Sequence, residues 1–387
     1  MSAMAKWGHW KPGMIGFACG AVFFSGITYA ATSQIKVEFR DLRYYFDGTN
    51  KQPPSGLKGF IYNDSTYVPL RFAAESLGKP VEWVESSSSI YIGKKPERPE
   101  ETDVPARSSA LQVFPKDNAW NTDISKYPVH KNSAKFISSI GAARGMHADF
   151  GTEWEGEPIG IPYMIVDGNQ PKVKVTFTDD ADQSDPGPYP IPLNAPIEGG
   201  PDSGGDRHVI VVDKDNLMLY ELYHARPSAQ GWTAASGAKW DLKSNAQRPK
   251  YWTSADAAGL PIFPGLVRYD EASSGEINHA LRFTVGKTQR GFIYPASHYA
   301  SNLTDPNLPP MGLRLRLRQD YDISGFSPTN QAILKALKKY GMIVADHGSS
   351  LYLSGAHDPR WDDEDLHHLG KIKGSDFEVV DTGKIEK

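Results

Sequence analysis

The chain has a single cysteine, Cys19, among 387 residues, too few for a disulfide-stapled scaffold or a Cys-ligated zinc site. It also lacks an H-E-x-x-H pair, an EF-hand loop, a Walker A loop and a G-x-S-x-G elbow. Their absence removes the common signatures of zinc proteases, calcium sensors, nucleoside triphosphatases and α/β-hydrolases. Ten of the eleven histidines lie at or beyond His130, but none forms an i, i+4 pair, so no metal and no cofactor is expected. Basic charge is not in excess: 42 Lys and Arg against 46 Asp and Glu give a net charge of −4, which excludes the phosphate-neutralising footprint of a nucleic-acid binder. No period of 20–50 residues recurs, so a repeat array is not expected.

Long apolar runs are equally scarce. The one that exists, MIGFACGAVFFSGITYAATS, follows Lys6 and Lys11 and ends in small residues around Ala30 and Ala31. That layout predicts either a secretory signal over residues 1–31 or, if uncleaved, a membrane anchor through residues 12–33. Both readings place the protein outside the cytoplasm, secreted or at the cell surface, and both make Cys19 an apolar residue of the export segment.

What is abundant is turn and β chemistry: 36 Gly, 29 Pro, 18 Tyr and 9 Trp predict a mainly β chain of two or three domains. Residues 35–93 read as a small α+β unit. Asp47-Gly48 and Asn63-Asp64 mark turns, Arg71 to Leu77 a short helix stopped by Gly78, and Val81–Val84 and Ile90–Ile92 two strands. The order of turn, TYVPLRFAAESLG, VEW and an isolated I-x-I strand resembles the copper amine oxidase N-terminal-like domain, a non-catalytic stalk of exported, wall-associated Gram-positive proteins. The resemblance implies a displaying module, not amine oxidation. The oxidase chemistry needs a tyrosine in an N-Y-[DE] context and an H-x-H pair, whereas this chain offers RYDE at Tyr269, DYD at Tyr321 and the adjacent pair His367-His368.

Residues 94–109, charged and Pro-containing, read as a linker. Residues 110–387 are predicted to form one large β-sandwich-type domain with a few helices, among them Ser133 to Ile140 and Pro328 to Tyr340. The strings DRHVI, LYELY, ADAAGLPIFPGLVR and INHALRF follow one another in this stretch, and most of residues 114–380 resembles a domain of exported bacterial proteins to which no activity attaches. Its clearest hairpin joins His208–Val212 to Leu217–His224. The second of these strands is apolar on both faces and is therefore expected at the centre of a sheet. The alternation of Leu313, Leu315 and Leu317 with Arg314, Arg316 and Arg318 predicts a strand with a solvated basic face.

Site candidates come from the same hairpin. Glu221 lies in line with two leucines, and the turn brings Asp206 and His208 toward it, so Glu221 and Asp206 are the candidate carboxylate pair with His208 beside them. The alternative is a Glu221 locked in an ion pair with Arg207, Arg268 or Arg282. Trp232, Trp240 and Trp252, with Arg282, are candidate substrate-binding residues: exposed, the three indoles would stack on sugar rings, and buried, they would be core. Two functions stay open: a displayed domain that binds or hydrolyses extracellular polysaccharide or another wall polymer, and a non-enzymatic surface scaffold or adhesion protein.

Overall fold

The computed structural model describes residues 36–84, 89–93, 111 and 113–387. The export segment, Cys19 and the linker lie outside the described residues. The chain divides into two units, Met1–Glu101 and Thr102–Lys387.

In the first unit three two-stranded antiparallel ribbons surround one helix. They are β1 (Tyr44–Phe46) with β2 (Thr49–Lys51), β3 (Phe60–Tyr62) with β4 (Ser65–Tyr67), then α1 (Leu70–Ser76), and β5 (Val81–Val84) with β6 (Ser89–Ile92). The first two turns are built on left-handed residues, Asp47-Gly48 and Asn63-Asp64, as the right-handed twist of two-residue hairpins requires. Phe72 of α1 meets Tyr44 and Phe46 edge-on, at 5.4 and 5.5 Å between ring centroids.

The second unit is mainly β, as expected. Along the chain come α2 (Ser133–Ile140), β7 (His147–Asp149), the hairpin β8 (Glu153–Trp154) and β9 (Glu157–Pro158), β10 (Tyr163–Val166), β11 (Lys174–Phe177), β12 (Val209–Asp213) and β13 (Met218–Tyr223). Next are β14 (Arg226–Ser228), β15 (Gly231–Ala234), β16 (Ser236–Asp241), α3 (Tyr269–Ser274), β17 (Leu281–Val285) and β18 (Arg314–Leu317). The chain closes with α4 (Pro328–Lys339), β19 (Met342–His347), β20 (Tyr352–Ser354), α5 (Asp363–His367) and β21 (Phe377–Val379). Ser327 caps α4 by accepting from the Asn330 N–H, with Pro328 at the first turn.

Three sheets are layered. The four-stranded sheet β10-β12-β13-β16 lies in the middle. Ile210, Val212 and Leu219 on one of its faces share a core with Leu281, Phe283 and Val285 of the six-stranded sheet β21-β18-β19-β17-β20-β7. Val209, Val211, Tyr220 and Leu222 on its other face pack with Val175, Trp232 and Ala234 of the three-stranded sheet β11-β15-β14. A strand buried on both faces must be apolar on both, which is why β13 alternates so little. The six-stranded sheet mixes parallel pairs (β17 with β19, β20 with β7) and antiparallel ones.

The expected basic outer face on β18 is corrected. Arg314 is 3% and Arg316 5% exposed, because the segment 119–127 lies over them. Arg314 donates to the carbonyls of Ala119, Thr122 and Tyr340, and Arg316 to those of Ile124, Ser125 and Tyr127 and to Glu378. Their guanidinium groups satisfy a stretch of irregular backbone that would otherwise be buried without partners.

Candidate functional site

Three short strands of the six-stranded sheet, β7, β20 and β17, alternate in the direction of their side chains. Ala148, Leu353, Leu281, Phe283 and Val285 point into the core, so His147, Asp149, Tyr352, Ser354, Arg282 and Thr284 are left on the other face. A β-bulge brings in one more. The register between β17 and β19 runs from Phe283 opposite Val344 to Thr284 opposite Asp346, and the extra residue, Ala345, turns Asp346 onto the polar side. This face floors a cavity of about 140 Å³ walled by Glu198, Asp206 and His208 from the loop before β12. Arg207 shapes that loop from behind: its guanidinium donates to the carbonyls of Ala225, Pro201 and Ser203, so Asp206 and His208 are directed into the cavity.

The charges fall into two sets. In the first, every group is committed. Arg282, buried, holds the buried Asp256 through Nε at 3.0 Å and Nη2 at 3.3 Å, reaches Asp346 at 3.1 Å and donates to Ser354 Oγ at 2.6 Å. His208 Nδ1 lies 2.6 Å from Glu198 and Nε2 lies 3.0 Å from the Ala255 carbonyl. Both ring nitrogens face acceptors, so only the doubly protonated imidazolium satisfies the site. Burial alone would lower its pKa, but Glu198 outweighs burial and holds it at about 9. Burial likewise opposes ionisation of Glu198, and His208 keeps that carboxyl below its ordinary value.

The second set is Asp149 and Asp206, whose carboxylates have no hydrogen-bond or ion-pair partner among the described residues. Both meet water on one side and the concave wall on the other. Burial raises Asp149 above the ordinary aspartate range, with Glu198 and Asp206 adding and His147 and Arg282 opposing. Asp206 is raised by burial, Glu198 and Asp346 against His208 and Arg282. Carboxyls that share a concave site, interact and have raised pKa values are the arrangement used for proton transfer. Among the described residues no group of three or more His, Cys, Asp or Glu is placed to hold a metal ion.

Asp206, His208 and Arg282 therefore lie together in one cavity, but Glu221 does not reach it, and its assignment as a catalytic carboxylate is corrected. Glu221 is completely buried and accepts the backbone N–H of Ile262 (2.9 and 3.0 Å) and of Phe263 (2.8 Å). Among the described residues no arginine pairs with it: the carboxylate caps the turn at 262–265. The tryptophans are corrected as well. Trp232 is core, 1% exposed, its indole N–H on the Ile191 carbonyl. Trp240 and half-buried Trp252 flank the Arg248 guanidinium at 5.5 and 5.8 Å, a cation–π clamp that occupies their faces. Asp149 and Glu198 were missed. Asp149 carries a faint signal, the polar-apolar-polar triplet His147-Ala148-Asp149, while Glu198 sits in a Pro/Gly loop with no period to read.

The first unit runs through two turned ribbons, a helix entered through Tyr67-Val68-Pro69-Leu70 and left through Gly78, and a last ribbon. Residues 30–98 match the copper amine oxidase N-terminal domain family. No curated protein and no solved structure matches the chain. The copper of the family name finds no ligands within this copper amine oxidase N-terminal-like segment, because residues 30–98 contain neither histidine nor cysteine. The acidic cavity belongs to the other unit and to residues beyond the match.

Three buried groups make the second unit favour acid, one of them Asp256, raised to about 6 from 3.8 by burial against the opposing Arg282. Glu221 is raised to about 7 from 4.5, chiefly by burial, with the two N–H groups opposing; His208 is raised to about 9 from 6.5. Each binds its proton more tightly folded than unfolded. Its stabilisation is thus complete below the ordinary value and is lost as pH rises through the folded value. The expected loss is roughly 3 kcal/mol for each of Glu221 and His208 between about pH 4.5 and 9. Glu271, held at about 2 by Arg268 and His279 against burial, is ionised throughout that window and does not offset it. Urea midpoints should fall steadily from about pH 5 to 9, and Glu221→Gln should reduce the slope below about pH 7 without abolishing it, since Asp256 still titrates there. A midpoint that rises with pH in both proteins contradicts this assignment.

Proposed function

We propose that the second unit acts on a glycosidic bond of an extracellular polysaccharide, with Asp149 and Asp206 as its acid/base pair. The observation that carries the proposal is this pair: two unpartnered carboxylates with raised pKa values in one acidic cavity. Their environments separate the roles. Asp206 lies beside the His208 imidazolium, whose charge favours the ionised form of its carboxyl. Asp149 has His147 as its nearest cationic counterpart, and burial lowers that imidazole so that it is neutral near pH 7. Asp149 is thus the general acid that protonates the leaving oxygen, and Asp206 the carboxylate that activates water or attacks the sugar carbon.

The surrounding charge favours this chemistry. Asp149, Glu198, Asp206 and Asp346 line the cavity together with Arg282, His208 and His347, and the transition state of glycoside cleavage is an oxocarbenium-like cation. Export through residues 1–31 and display by the copper amine oxidase N-terminal-like unit, at the wall of a Gram-positive cell, support a polymeric extracellular substrate. The test is direct. Purified protein incubated with soluble and insoluble polysaccharides is expected to release reducing ends. Sedimentation with a polymer without any release would make the unit an adhesion module, and neither release nor sedimentation would overturn the proposal.

A further inference from the structure

A larger groove of about 580 Å³ adjoins the acidic cavity and shares Asp149 and Tyr352 with it. Its walls are aromatic and apolar. The His147 and Tyr352 rings lie 4.2 Å apart, Phe150 forms the back against Trp361 at 5.0 Å, and Leu366 of α5 closes one side. Phe150 lies against β20 only because position 355 is glycine: a Cβ there would sit 2.4 Å from the ring.

Over this groove projects the β8–β9 hairpin. Its two-residue turn, Glu155-Gly156, has both φ angles positive (54° and 87°), the geometry that matches strand twist in a tight hairpin. Its base is fixed: Thr152 donates its N–H to Asp363 Oδ1 at 2.9 Å and its hydroxyl to Oδ2 of the same residue. At the hairpin's end Trp154 lines the groove while remaining 66% exposed. A large indole left in water on a well-anchored hairpin, beside a polar cavity, forgoes burial that a folded chain ordinarily takes.

We infer that this groove binds the sugar units next to the cleaved bond, with Trp154 as the stacking platform, and that the chain it accepts is an uncharged glycan. The inference rests on the reading of the cavity as a glycoside-cleaving site. Pyranose rings present an apolar C–H face to an indole, and the groove runs directly from the proposed acid, Asp149, so successive units of one chain occupy both spaces. Charge selects the class. The groove is lined by Asp149, Glu153 and Asp363 without a lysine or arginine, which disfavours polymers carrying carboxylates or phosphates.

The experiment measures binding of cello-oligosaccharides and N-acetylglucosamine oligosaccharides of one to six units, with oligogalacturonates as the anionic series, to the full chain bearing Asp206→Asn. Affinity for one uncharged series should tighten over the first few units, and oligogalacturonates should bind weakly or not at all. Trp154→Ala should remove about tenfold of that chain-length gain, and Trp154→Phe should restore most of it. An unchanged melting temperature separates this effect from misfolding. A chain-length gain identical with and without Trp154, or tighter binding of the anionic series, overturns the inference and leaves the acid/base pair standing. Failure of every series to bind, together with no release of reducing ends by the unsubstituted protein, overturns both.

Discussion

Asp206→Asn should lower turnover on the polysaccharide substrate by about 10²–10⁴-fold, the range expected when a positioned general base or its partner acid is removed. Folding should be spared, because the Asp206 side chain makes no hydrogen bond; only its backbone carbonyl is used, accepting from the His224 N–H at 2.8 Å. Asp149→Asn should cost a similar factor, but the two losses differ in kind. A small added nucleophile such as azide takes the place of a missing base or nucleophile and should restore part of the activity of the Asp206 variant. It cannot replace the proton donor and should leave the Asp149 variant inactive on substrates with poor leaving groups. The pH profile separates them again. With Asp149 raised by burial and its like-charged neighbours, the alkaline limb should reflect its ionisation and disappear in Asp149→Asn. If Asp206→Asn keeps more than about a tenth of the activity, the pair does not carry the chemistry.

The fold was legible where burial imposes a period. The apolar continuity of β13, the Ser-Pro start and Gly stop of α4, and the turns of the first unit follow from local sequence, since each answers a rule acting over a few residues. The acidic cavity was half legible: Asp206 and His208 sit on a hairpin strand whose register the pattern sets. Glu221 has the same sequence credentials and a different fate, because its partners are the N–H groups of Ile262 and Phe263, some forty residues on, at a turn that no pattern ties to β13. Asp149 and Asp346 join the site through strand pairings of long sequence separation and a bulge after Val344. Local alternation cannot show these. Arg314 and Arg316 misled for the same reason: alternation gives the face of a strand, and what covers that face is decided by the segment 119–127, almost two hundred residues earlier.

The largest effect on stability is expected at Arg282. Among the described residues its guanidinium is the only cation contacting Asp256, a carboxylate with no exposed side-chain surface, and it also holds Asp346, 22% exposed at the cavity wall. The acidic pair of neighbours keeps Arg282 charged despite its burial. Arg282→Met preserves much of the volume and removes the charge, leaving Asp256 buried and uncompensated, so about 3–5 kcal/mol should be lost. Against a typical total of about 5–15 kcal/mol, that brings the second unit close to unfolding. The double variant Arg282→Met with Asp256→Leu separates the two possible origins of the loss. If the cost is an unpaired charge, the second substitution should recover most of it; if it is the geometry of the fork, which also serves Ser354 Oγ, the losses should add. The single variant should regain stability on acidification, since the stranded Asp256 carboxyl can then take up a proton, which strengthens the preference for acid that the unsubstituted protein already has. A urea midpoint for Arg282→Met within about 1 kcal/mol of the unsubstituted protein would mean that the polar floor of the cavity does not depend on this ion pair.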